Sequence, residues 1–410
     1  MSRIAFINAH LLDAASGLDG LGGLLVEGGR IAEVGAIATP ADATVIDCDG
    51  RLLAPALIDT RVFKVEPAAA IAGGVVKVCL MPDQSPVLDG PAAIERVRRL
   101  GQDVVKVRPL AAATRALEGR KLAEIGLALE AGACAVATGR RGIMDTGVML
   151  RLLQYASGFD ALVVAHAEDE TLTDGTCATE SDYALRLGLP AASTLAESLM
   201  VERDVRLAEA TGARLHIAQV TCAASIDAVR RAKHRGVRVS CGVTPAHFLL
   251  NDFAIGDYRT FARLSPPLRT EADRLAVVEG LRDGTIDVIA SGHDPRTQED
   301  KRLPFAQAEA GMVGVETLLA ASLSLVHNDI LDLPTLMTKL TSKPAALFGL
   351  NGGRLDVGQA ADLLLFDAGA PWQIDAETLR STAKNTPLDR LLVQGRVRGV
   401  WRDGRDVLTN

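Results

Sequence analysis

A chain of 410 residues is too long for one ordinary small domain and suits one large unit with a smaller attachment. Apolar residues make up 48% and aromatics only 3%, so the core is expected from Ala, Val, Leu and Ile in stacked strands and helices. A net charge of −7 without long runs excludes a nucleic-acid binder, which needs a basic face for phosphates, and no apolar stretch approaches the ~20 residues that cross a bilayer.

The first fifty residues alternate short β-like runs, 4–8 and 23–27, with turn signals at Glu27-Gly28-Gly29-Arg30 and Asp49-Gly50, the grammar of antiparallel strands. From Ala54 short apolar runs are separated by longer helix-period segments, the signature of repeated βα units. The runs are 57–63, 75–81, 104–109, 133–138, 162–167, 215–220, 237–242 and 286–291. Eight closes a parallel barrel, with 91–101, 196–211 and 223–235 among the intervening helices, although a doubly wound open sheet is also compatible. After Ser342 the turn-punctuated strands return at 361–367, 390–395 and 399–403. The expected fold is therefore α/β: a (β/α)8 TIM-type barrel over 54–344, with a small β-sandwich domain formed by 1–53 and 345–410. Six scattered cysteines without a CxxC pair, and no charged-then-apolar leader, point to a reduced cytoplasmic protein.

In such a barrel the working groups sit at the C-terminal strand ends. A hydrolytic metal centre needs three or more convergent His, carboxylate or Cys ligands. None of the seven histidines forms an HxH or HExxH pair. His166 and His293 fall at strand ends near Glu168, Asp169 and Asp294, so a site using them is the sharpest catalytic reading, against two histidines hydrogen-bonded into a polar barrel mouth. His10, His216, His234, His247 and His327 read as structural or surface residues. No GxSxG elbow or GxxxxGK[ST] loop is present, and the contiguity of Ser291-Gly292-His293-Asp294 on a strand end argues against a convergent triad.

The segment Pro55-Ala56-Leu57-Ile58-Asp59-Thr60-Arg61-Val62-Phe63-Lys64-Val65-Glu66-Pro67 resembles the P-G-x-I-D-x-H-x-H-x-R-E-P motif of dihydroorotases in the amidohydrolase superfamily. The resemblance continues through Met81-Pro82-Asp83-Gln84-Ser85-Pro86, His166-Ala167-Glu168-Asp169, Pro266-Pro267-Leu268-Arg269, Gly311-Met312-Val313-Gly314-Val315-Glu316-Thr317 and Lys384-Asn385-Thr386-Pro387, so it spans essentially the whole chain. It implies a barrel enzyme that opens or closes a cyclic amide with zinc-bound hydroxide and an aspartate.

Departures from that pattern fall on its polar residues. Arg61 and Phe63 stand where the family has metal-binding histidines, and Val65 where it has a substrate-gripping arginine. Thr138 and Gly139 replace the aspartates after strand four, Gln219 the histidine after strand six, and Gly292 the aspartate after strand eight. Asp83 and Ser265 replace two asparagines. Only His166 of the metal shell matches, and His293 survives as a substrate-side residue. These departures imply no catalytic residues, no metal ligands and no cofactor. They suggest a noncatalytic homologue in pyrimidine biosynthesis that self-associates and supports the aspartate transcarbamoylase catalytic subunit. Arg61 is expected either to replace metal charge, paired with an acid such as Glu66 or Asp294, or simply to lie at the barrel rim. Two alternatives remain: an active dihydroorotase or related cyclic amidase with an atypical site around His166, His293 and Asp294, and a small-molecule-binding regulator gripping an anion with Arg61, Arg108 and His293.

Overall fold

The computed structural model describes residues 3–101 and 103–409. The first five strands are β1 (Arg3–Asp13), β2 (Leu18–Glu27), β3 (Arg30–Gly35), β4 (Thr44–Asp47) and β5 (Leu52–Pro55). Seven parallel strands with one short inserted ribbon follow: β6 (Leu57–Val62), β7 (Val75–Leu80), β8 (Lys106–Ala112), β9 (Ala135–Ala137), β10 (Leu162–Ala165), the ribbon β11 (Ala178–Thr179) with β12 (Ala191–Ala192), β13 (Arg214–Ile217) and β14 (Val239–Val243). The eighth parallel strand is β15 (Val288–Ile289), and β16 (Leu363–Gln373), β17 (Leu392–Arg402) and β18 (Arg405–Asp406) end the chain's strands.

The eight parallel strands follow chain order from β6 to β15, as the count of apolar runs predicts. Every residue of β6, β7, β10 and β14 is buried, which is why these strands read as continuous apolar runs rather than alternations. Helices cover the outside, among them Leu195–Thr211, Ala223–His234 and Glu271–Arg282. The first of these stops at Gly212, whose φ of 67° is the left-handed turn that glycine supplies at low cost.

The ring closes between β6 and the segment after β15. Asp59 is fully buried, and its Oδ1 accepts the Ser291 N–H (3.0 Å) and the Arg61 N–H (3.2 Å). The Phe63 N–H donates to the His293 carbonyl (2.9 Å). Burial raises the Asp59 carboxyl pKa, against the hydrogen bonds from Ser291 that lower it.

The two ends of the chain meet in one eight-stranded sheet ordered β18-β17-β16-β5-β1-β2-β3, with β4 paired to β1. Phe6, Leu24, Leu53, Leu363 and Trp401 form its own apolar cluster, with the Phe6 and Trp401 rings edge to face at 4.7 Å. A buried ionic knot fastens this sheet to the barrel. Asp362, just before β16, accepts from Lys77 of β7 and from Lys106 of β8 (3.2 Å), and Lys106 also reaches Asp403 (2.7 Å).

Candidate active site at the barrel mouth

A cavity of about 390 Å³ opens where the C-terminal strand ends converge. Arg61 and Phe63, at and just past the end of β6, line its floor, with Gln219 after β13, Thr244 after β14 and Gly292 after β15. Arg61 is 7% exposed, and its Nη1 donates to Gln219 Oε1 at 2.6 Å while Nε has no hydrogen-bond partner among the described residues. Burial pushes the Arg61 pKa down to about 10, with Asp294 opposing, so the group stays charged at neutral pH. The Phe63 ring lies against two guanidiniums, Arg140 at 4.2 Å and Arg61 at 5.1 Å from its centroid.

Gln219 is itself held. Its Nε2 donates to His247 Nδ1 (2.8 Å), which also accepts from Thr244 Oγ1 (2.8 Å), while His247 Nε2 faces the Pro266 carbonyl (3.1 Å). Those partners fit a neutral imidazole with its proton on Nε2. Burial drives the His247 pKa down to about 3.

The rim is an ionic clasp. Arg140, after β9, makes a two-pronged contact with Asp294 (Nη2 to Oδ1 2.7 Å, Nε to Oδ2 3.1 Å), and Arg296 binds the same carboxylate at 2.9 Å. Asp83 accepts the Arg140 backbone N–H at 2.9 Å. Gly139 carries φ +85°, and a Cβ there would lie 2.8 Å from Asp83 Oδ1, so the departure at 139 and the acid at 83 fit one another. Beside the clasp, Ser265 Oγ donates to Glu168 Oε2 (3.2 Å), which also meets His166 Nε2 (3.1 Å). Burial raises the Glu168 pKa, but the hydrogen bond and charge of His166 outweigh it and the net shift is downward. Thr138 Oγ1 accepts the His166 backbone N–H at 2.9 Å.

Several expectations are corrected. Arg61 hydrogen-bonds Gln219 rather than Glu66 or Asp294, because Asp294 is taken by Arg140 and Arg296, and Glu66 by His293, Ser381 and Thr382. Nor does Arg61 lie at the rim. His293 is not a cavity residue: it is fully buried, its Nε2 lies 3.2 Å from Glu66, and its Nδ1 faces the Gly314 N–H (3.4 Å). Burial raises the Glu66 pKa, yet the hydrogen bonds from His293, Ser381 and Thr382 hold it well below the usual carboxylate range. Arg108 lies at the opposite end of the barrel, in a surface groove with Glu95, Arg98 and Asp103. The run 104–109 put it near a strand's end, whereas β8 extends to Ala112 and leaves Arg108 near the start. Val65 packs against the main core. Of the cluster His166, His293 and Asp294, only Asp294 lines the cavity.

Sequence reasoning missed Arg140, Arg263, Arg296 and His247. Arg140 and Arg296 follow strand-end positions already under scrutiny, so the loop beyond each β-strand held the signal. Arg263 and His247 carry no local one.

The donor set does not fit a hydrolytic dication. Among the described residues no three or more His, Cys, Asp or Glu side chains are grouped to hold a metal ion. A guanidinium, a phenyl ring, an amide and a bare glycine occupy the positions where ligands would converge.

The fold is shared with solved structures of hydantoinases and dihydropyrimidinases. The L-hydantoinase (dihydropyrimidinase) from Arthrobacter aurescens superposes with a TM-score of 0.89 at 24% identity, covering 99% of this chain and 96% of that one. Dihydropyrimidinase from Brevibacillus agri gives 0.85 at 22%, with 99% and 95% covered. The Dihydro-orotase-like family model matches residues 47–225. Proteins named dihydroorotase from Desulforapulum autotrophicum (39% identical, 98% of each chain) and Syntrophus aciditrophicus (38%, 99% of each) match along the whole length. The chain belongs to the dihydroorotase family. These full-length relatives overturn the noncatalytic reading, in which the chain only supports a transcarbamoylase assembly, in favour of the hydrolase alternative.

Proposed function

We propose that this chain is a cyclic amidase of the dihydroorotase type whose site is centred on arginine rather than on metal. The end-to-end match to dihydroorotases carries the reading, and the cationic cavity at the barrel mouth supplies the chemistry. Hydrolysis of a ring amide builds negative charge on the carbonyl oxygen as water adds, before the C–N bond breaks and the nitrogen takes a proton. Fixed guanidiniums in a partly water-excluded cleft stabilise such charge without reorganising. Ser265 is a cavity hydroxyl backed by a carboxylate, so water's proton is assigned to pass through Ser265 Oγ to Glu168, with His166 behind it, and to return to the leaving nitrogen. No dication takes part in this scheme.

The test is turnover of dihydroorotate and of its ring-opened ureido acid by purified protein, with chelator and with added zinc. The expected result is slow conversion in both directions that the chelator leaves unchanged. Conversion no faster than in buffer, or conversion that appears only with zinc, overturns the proposal.

A further inference from the structure

The polarity of the barrel floor is reversed relative to a metal site, and the reversal leaves a buried guanidinium that no carboxylate pairs directly among the described residues, although Asp294, Asp83 and Glu168 act on it from a distance. Arg61 is 7% exposed and charged, yet its direct hydrogen-bond partner is a neutral amide, and its Nε is buried with none. Each acid near it is held elsewhere. Asp294 is gripped by Arg140 and Arg296, Asp83 accepts the Arg140 N–H with Oδ1 while its Oδ2 is buried without a partner among the described residues, and Glu168 meets His166 and Ser265. Arg263, on the same cavity, gives its terminal nitrogens to the backbone carbonyls of Leu264 and Thr176, and its Nε too is buried without a partner. A buried cation without a direct ion pair is costly, and a cavity beside it gives a pairing charge a place to come from.

We infer that the floor of the barrel mouth is an anion seat in which Arg61 takes a carboxylate of a small acidic ligand, with Arg263 as a second cation on the same cavity. A carboxylate suits the terminal end of the guanidinium that Gln219 leaves free beside Nη1. Gly292 keeps this seat clear: a Cβ there would meet Thr244 Cγ2 at 2.9 Å and approach Arg61 Nη1 at 3.5 Å. The seat stands on the placement of the site described above but not on turnover, so binding is measured with chelator present and without a cleavable ring.

The probes are succinate and orthophosphate, titrated by calorimetry and by melting temperature into the full-length protein and its Arg61→Met and Arg61→Lys variants. Succinate is expected to bind saturably and raise the melting temperature, with affinity at least tenfold weaker in Arg61→Met and partly retained in Arg61→Lys. Without ligand, Arg61→Met is expected to melt higher than the parent. Unchanged succinate affinity in Arg61→Met, no saturable binding to the parent, or a lower melting temperature of the ligand-free Arg61→Met protein overturns the inference. Orthophosphate binding as tightly as succinate overturns the carboxylate assignment. If turnover is absent while succinate binds through Arg61, the amidase proposal fails and the seat stands.

Discussion

At the scale of single residues, the barrel mouth depends on which atoms carry charge and which merely fill space. Ser265→Ala removes the cavity hydroxyl that donates to Glu168, and Glu168→Gln removes the carboxylate that takes its proton. Each is expected to lower kcat for dihydroorotate about 100-fold, in line with the loss of one positioned proton carrier. KM should change little, which steady-state kinetics on the folded variants checks. Asp83, Thr138 and Gly139 were legible as departures from a known pattern, but what they do was not, because their roles lie in partners far along the chain. Asp83 answers Arg140, and Thr138 braces His166. The misplacement of Arg108 has a simple cause: an apolar run fixes a strand's existence better than its ends, and a shift of three residues moves a side chain from one mouth of a barrel to the other.

At the scale of elements, closure of the first barrel strand on the last is braced by one carboxylate. Asp59→Ala would strip the Ser291 and Arg61 N–H groups of their acceptor inside the barrel wall. With two buried donors left unsatisfied, a loss of about 3 kcal/mol is expected in denaturant unfolding. Asp59→Asn keeps one acceptor oxygen and should lose less. All eight barrel strands could be read from the apolar runs, because most of their residues are buried on both faces. The ribbon of β11 and β12 could not, since two-residue strands in a loop have no periodicity to show. The clasp across the mouth was also hidden, because it joins Arg140 to Asp294 over 154 positions.

At the scale of the whole molecule, the ionic knot around Asp362 and the buried histidines govern stability. Asp362→Ala would leave Lys77, 2% exposed, as a buried unpaired ammonium, and a loss of about 3–5 kcal/mol is expected from thermal or denaturant unfolding. Acid sensitivity follows from His247 and His216, whose pKa values burial lowers to about 3 and about 4 from an ordinary 6.5. Between those limits the unfolded chain binds protons that the fold refuses, so their contribution is complete above pH 6.5 and is lost as the pH falls toward 4 and 3. Asp204, raised by burial to about 6, acts in the opposite sense as it keeps a proton that the unfolded chain releases above about 3.8. Two histidines outweigh one aspartate, so the melting temperature is expected to fall from pH 6.5 downward, and less steeply in His247→Gln. The pairing of β5 with β16 has a further consequence during synthesis. Some 300 residues separate these strands, roughly 15–60 s of translation at about 5–20 residues per second. Throughout that interval the edge of β5 has no neighbour, so the nascent chain carries an open template for adventitious pairing that vanishes only when its last strands emerge.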